Sequence, residues 1–136
     1  MAHGERQLFQ DPVNPPAARP CFHLCRRARV AARLATGINQ RTAGVVLALR
    51  EAAASDTELA GQLRERERRR RINVEQGAAL VAGRALTPEV VDGLWAVLAV
   101  EVYQLLTGLR GWTPQQYETW LADVIDRLLP GPDQPT

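Results

Sequence analysis

Cysteine and histidine come together once in this chain, at Cys21-Phe22-His23-Leu24-Cys25. Thiolate and imidazole are common zinc ligands, but a closed site needs four of them, usually in paired C-x-x-C spacings. Only three donors cluster here. On a helix His23 would point away from the face shared by Cys21 and Cys25, so His3 would have to supply the fourth ligand from a distance. Ligand number and geometry both argue against a metal; ordinary thiols and a surface histidine are expected. Nucleophilic, acid–base and phosphate chemistry have no better footing. H-E-x-x-H, G-x-S-x-G and C-x-x-C are absent, and Gly77, Gly83 and Gly93 are isolated instead of forming a phosphate-cradling loop. Asp123 and Asp126 fall on the polar side of a helical stripe, and no carboxylate pair has an obvious cleft. A non-enzyme without cofactor or metal is expected.

Arg68-Arg69-Arg70-Arg71 raises the question of nucleic acid. Four successive helical residues point in four directions and cannot form one dense phosphate-binding face. Glu65 and Glu67 dilute them further, and pairs Glu65–Arg69 and Glu67–Arg71 are expected at the favourable i,i+4 order. A solvated helix face is the reading, with Arg66 or Arg70 placed on an inward stripe between Leu63 and Val74 to meet an acidic effector. Net charge is +2, and all 17 basic residues are arginine. Residues 1–37 are net +4, residues 38–86 net +3 and residues 87–136 net −5. So small a total is a weak argument for a polyanionic partner, and no direct DNA contact is expected.

These residues need elements to position them. Residues 1–21 hold Pro12, Pro15, Pro16 and Pro20 without apolar period and read as a tail; residues 131–136 read as another. Residues 22–130 read as one all-α domain of about five helices. Phe22–Thr36 is a helix with Leu24, Val30, Ala31 and Leu34 on one side, which Gly37 is expected to end or kink. Gln40–Ala54 is a second helix. Ser55-Asp56-Thr57-Glu58 reads as a capping box opening a long helix to about Ala82. Thr87-Pro88-Glu89 starts another, apolar nearly all round, to about Leu106. Thr113-Pro114-Gln115-Gln116 caps the last, with Trp112 placed to staple onto Tyr117 and Pro130-Gly131-Pro132 as its stop.

The last two helices carry more apolar surface than a small monomer hides. Two such hairpins about a two-fold axis give a four-helix bundle, so a homodimer is expected. Its face would use Val91, Leu94, Leu98 and Val102 from the first helix. From the second it would take Tyr117, Trp120, Leu121, Val124, Ile125 and Leu128. No apolar leader is visible in Met1–Gln10, and the run Leu94–Val100 falls far short of the ~20 residues that span a bilayer. A cytoplasmic protein without membrane contact is expected.

Several pieces in order carry a likeness: Arg41-Thr42-Ala43, Leu49-Arg50-Glu51-Ala52-Ala53-Ala54-Ser55-Asp56, Glu65–Arg71, Leu94-Trp95-Ala96, Glu101-Val102-Tyr103 and Gly111-Trp112-Thr113-Pro114 with Tyr117-Glu118-Thr119-Trp120-Leu121. From about Thr36 to Leu129 the chain resembles the C-terminal domain of TetR/AcrR-family transcriptional regulators of actinobacterial type. The resemblance implies an all-helical domain that takes a small, apolar effector between its helices. It also implies pairing through the last two helices, Val90–Leu106 and Thr113–Leu129. A pocket using Leu63, Arg66, Arg70, Trp95 and Tyr103 follows, with a second copy, a small-molecule effector and a full-length paralogue as partners. Two departures stand out. Met1–Cys25 shows none of the family's helix-turn-helix rhythm, and Ala99-Val100 replaces a Ser-Pro break, so the helix is expected to run straight through. A stand-alone interaction module or truncated regulator, dimerising without ligand or DNA, is the alternative.

Overall fold

The structure, a computed structural model, describes residues 22–129; the two expected tails, and with them His3 and Cys21 of the candidate metal cluster, lie outside the described residues. Every element among the described residues is helical. They are α1 (Phe22–Ala53), α2 (Thr57–Ala82), α3 (Pro88–Val97), α4 (Val100–Gln104), a π-helical turn (Leu105–Leu109) and α5 (Pro114–Leu128).

Gly37 neither ends nor kinks the first helix: α1 runs for 32 residues through it. The reason is a buried stripe, Ala28, Ala32, Thr36, Asn39, Ala43 and Val46, that keeps helical period across the glycine. Packing of that stripe overrides the roughly 1 kcal/mol that a helical glycine costs. Half of the stripe is alanine, so a neighbouring helix can approach closely. That neighbour is α5, whose Tyr117, Leu121 and Ile125 are buried in the same core. The apolar side of Leu24, Val30, Ala31 and Leu34 is split: Leu24 and Ala31 pack against the core, whereas Val30 is 54% and Leu34 64% exposed.

Helix starts follow local chemistry. Thr113 Oγ1 accepts from Gln116 N–H (3.1 Å) and Gln116 Oε1 accepts from Thr113 N–H (2.8 Å), a complete capping box. Trp112, however, packs edge-on against Trp120 (6.0 Å between centroids), while Tyr117 meets Tyr103 at 4.9 Å. The cap of α2 sits one residue later than expected. Asp56, not Ser55, accepts from Leu59 N–H at 3.0 Å, and the Ser55 hydroxyl turns back to the Ala52 carbonyl. Gly83 (φ 73°) ends α2 in the left-handed conformation that only glycine adopts freely.

The helix expected to run straight through Val100 is broken there. Ala99 is extended (ψ 145°), which separates α3 from α4 without any proline. By length and composition Pro88–Leu109 (22 residues) would suffice to cross a membrane, a longer stretch than Leu94–Val100 alone. Its Val91, Leu94, Val100 and Tyr103 face the core, whereas Leu105 and Leu109 stay exposed.

Candidate functional site

The three-residue turn between α1 and α2 folds them into an antiparallel hairpin, with Arg27 beside Leu80 at one end and Arg50 beside Glu67 nearer the turn. The hairpin does not close. Between its helices lies an open groove of about 1700 Å³. Val30, Leu34 and Ile38 form its wall on α1, and Val74, Ala78 and Val81 its wall on α2. Leu94, Leu98, Val100, Ile125 and Leu129 make the floor. The opening has a cause in the sequence. The arginine-rich α2 has no fully buried residue: Val74, Ala78, Val81 and Ala82 pack partly buried against the core, and polar ties hold its arginine-rich middle.

Glu67 is the centre of those ties. It accepts from Arg70 Nε (2.7 Å), Arg66 Nη1 (2.9 Å) and Arg50 Nη2 (3.1 Å). Burial alone would raise the Glu67 carboxyl, but the three guanidinium groups, Arg70 foremost, outweigh it and hold the carboxyl below its ordinary range. Arg50 Nε also lies 2.6 Å from Glu101 Oε1. The expected Glu67–Arg71 pair is not made: Arg71 reaches Asp92 at 2.6 Å and Glu75 at 3.8 Å, because α3 brings a carboxylate closer than the helix's own. The expected Glu65–Arg69 pair is present at 2.9 Å, and Arg68 joins it. Together those two donors, Arg68 first, lower the Glu65 carboxyl to about 2.

Arg70 turns inward as expected, yet it meets protein there. Both terminal nitrogens donate at 3.0 Å to the carbonyl oxygen of Trp95, and the guanidinium lies 5.1 Å from the centre of the Trp95 ring. A cation at the last turn of α3 also answers the negative end of the helix dipole. The four consecutive arginines therefore serve different partners: Arg68 and Arg69 bind Glu65 in solvent, Arg70 caps α3 and Arg71 binds Asp92.

Of the expected pocket residues, Arg66 and Arg70 line the groove and the other three do not. Leu63 lies off the α2 face that borders it. Trp95 is held under Arg70, and Tyr103 is buried in the core against Tyr117. Of the expected pairing face, Val91, Leu94, Tyr117, Leu121 and Ile125 are buried within the protomer, the last four in the core cluster that holds the alanines of α1. Leu98, Val102, Trp120, Val124 and Leu128 are half-buried. Sequence reasoning missed Val30, Leu34 and Ile38 as groove wall and Asn39 as a groove residue. The signal was two stripes on one helix, small residues on one side and branched ones on the other.

Asn39 sits where groove and core meet. It is 7% exposed, and its Nδ2 donates to the Leu98 carbonyl and to the Tyr117 hydroxyl, each at 3.3 Å. The carbonyl that the α3–α4 break sets free is thus satisfied from α1. Burial raises the Tyr117 phenol, and the Asn39 amide opposes part of that rise. Cys25, half-buried, donates to Asp126 across α1 and α5 at 3.6 Å.

Compared with known proteins, the chain matches no protein-family model, no curated protein and no solved structure.

Proposed function

We propose that residues 22–129 form a regulatory sensor domain of the TetR/AcrR kind, which binds an apolar small molecule in the α1–α2 groove and pairs with a second copy. The observation that carries this reading is the groove itself, walled by Val30, Leu34 and Ile38 and floored by the core residues Leu94 and Ile125. Ligand pockets of roughly 300–1,000 Å³ bury most of their occupant. A groove of about 1700 Å³ is wider than that, so the proposal includes closure of α2 onto the ligand. A helix whose apolar contacts are all only partly buried can move as a unit at lower cost than one locked in the core.

The output is a shift between two arrangements of α2. Arg70 and Arg71 tie α2 to Trp95 and Asp92 of α3, so closure is felt at the helix beside α5. Pairing of copies would use the outward edge of α5, Trp120, Val124 and Leu128, in place of the residues spent in the core. No catalysis and no DNA contact is assigned to residues 22–129; the small-molecule effector, a second copy and a full-length paralogue are the partners proposed.

The test is a thermal-shift titration with neutral apolar compounds. Occupied groove should raise the midpoint as RT ln(1 + [L]/Kd) predicts, and the exposed-site variant Leu34→Glu should abolish the rise while folding normally. A panel that never moves the midpoint would remove the sensor reading. A second reading has one observation behind it: Val30, Leu34 and Ile38 are each more than half exposed, 54%, 64% and 52%, as on a groove that receives a partner helix. That module would ignore the small-molecule panel.

A further inference from the structure

The groove is chemically unequal along its length, and that inequality names a ligand class. At the end near the α1–α2 turn, every lining carboxylate is found: Glu58, Glu65 and Glu67. The arginines there, Arg66, Arg69 and Arg70, are already paired with Glu65 or Glu67. At the opposite end the lining groups are His23, Arg26 and Arg27 of α1, facing Leu80 and Gly77 of α2. Arg27 donates only to the Leu80 carbonyl at 3.4 Å, and among the described residues neither Arg26 nor Arg27 makes an ion pair. Between the two ends runs the apolar rail Val30, Leu34 and Ile38. At 1.5 Å per residue, Arg27 to Ile38 covers about 16 Å, the reach of a medium-length acyl chain.

We infer that the groove takes an elongated apolar chain ending in an anionic group, with the anion at Arg26 and Arg27 and the tail along Val30, Leu34 and Ile38 toward Asn39. Uncompensated cations beside an apolar rail complement such an amphipathic acid and disfavour a cationic one. The inference rests on the groove reading above and adds the head group and its position to it. It also moves the anion site from the inward Arg66 and Arg70, which are already engaged by Glu67, to the opposite end.

Calorimetric titration with decanoate and with 1-decanol, each below its aggregation limit, separates the two claims. Decanoate should bind up to about fivefold more tightly than decanol, the upper end for a solvent-exposed charge pair. The preference should fall with added salt. In Arg26→Ala/Arg27→Ala the acid preference should vanish, the two ligands binding equally. Equal binding of acid and alcohol by the unaltered protein overturns the anion site and leaves the groove reading standing. So does an acid preference that survives in the double variant. Binding of neither ligand overturns the groove reading itself.

Discussion

Asn39 and Leu98 lie 59 residues apart in sequence, and the side-chain amide of the first donates to the backbone carbonyl of the second at 3.3 Å. The same nitrogen donates to the Tyr117 hydroxyl, so one buried amide joins α1, the α3–α4 break and α5. Leaving a buried carbonyl without a donor costs about 1–3 kcal/mol. Asn39→Ala should therefore lower unfolding free energy by about that amount in urea denaturation, with most of the loss also seen in Asn39→Leu, which restores volume but no donor. A loss below about 0.5 kcal/mol, the range of ordinary surface changes, would show that the break is held by other contacts.

Acid should loosen α2 through Glu67. Its folded-state carboxyl titrates below the ordinary 4.5, because Arg70, Arg50 and Arg66 together outweigh the effect of burial. The folded form then binds fewer protons than the unfolded form below that value. The contribution to stability is present above pH 4.5 and is lost as pH falls through the lowered folded value. Melting curves of the unaltered protein and Glu67→Gln should differ near neutrality and converge on acidification. Parallel curves would sink the assignment. Glu65→Gln is the control: Glu65 is solvent-screened despite its carboxyl near 2, and its replacement should leave the midpoint nearly unchanged.

The two sides of α5 should respond differently. Leu121 is fully buried in the protomer, and Leu121→Ala should cost about 2–5 kcal/mol in any association state. Val124 lies on the outward edge. Val124→Asp should leave far-UV circular dichroism intact and lower the sedimenting mass at micromolar concentration. A protein that already sediments as one copy would remove the pairing proposal and leave the core assignment untouched.

Arg70 should govern how firmly α2 lies on α3. It supplies two hydrogen bonds to the Trp95 carbonyl and a cation above the Trp95 ring. The other ties of α2 are the partly buried Val74, Ala78, Val81 and Ala82 and the ion pairs of Glu67 and Arg71. Arg70→Met should speed amide hydrogen exchange across Thr57–Ala82 while α1 and α5 keep their protection. Uniform exchange throughout, or none of the expected acceleration, would show that α2 is held elsewhere.

The groove was legible in part. Arg66 and Arg70 could be placed on it because they continue the helical stripe of α2. Val30, Leu34 and Ile38 could not, since branched apolar residues at helical spacing read as core, and nothing local reveals that a second stripe of alanines on the same helix has taken that place. Tyr103 and Trp95 were misplaced for the same reason: an aromatic side chain announces burial without saying on which side of its helix the neighbours stand.

What the sequence by itself determined is the helical class and the helix ends marked by a local cap: the starts of α3 and α5 and the end of α2. Thr113 with Gln116, Pro88, Pro114 and Gly83 act on backbone groups within four residues, so their effect is written where they stand. Tertiary structure decided which face of α1 turns inward, whether Gly37 and Ala99 interrupt a helix, and which arginine Glu67 binds. Each of those outcomes is a competition between contacts from residues distant along the chain. The close approach of α5 to the alanine-bearing stripe of α1 settled the first and the fate of Gly37, and the Arg50 and Arg70 guanidinium groups converging on one carboxylate settled the third.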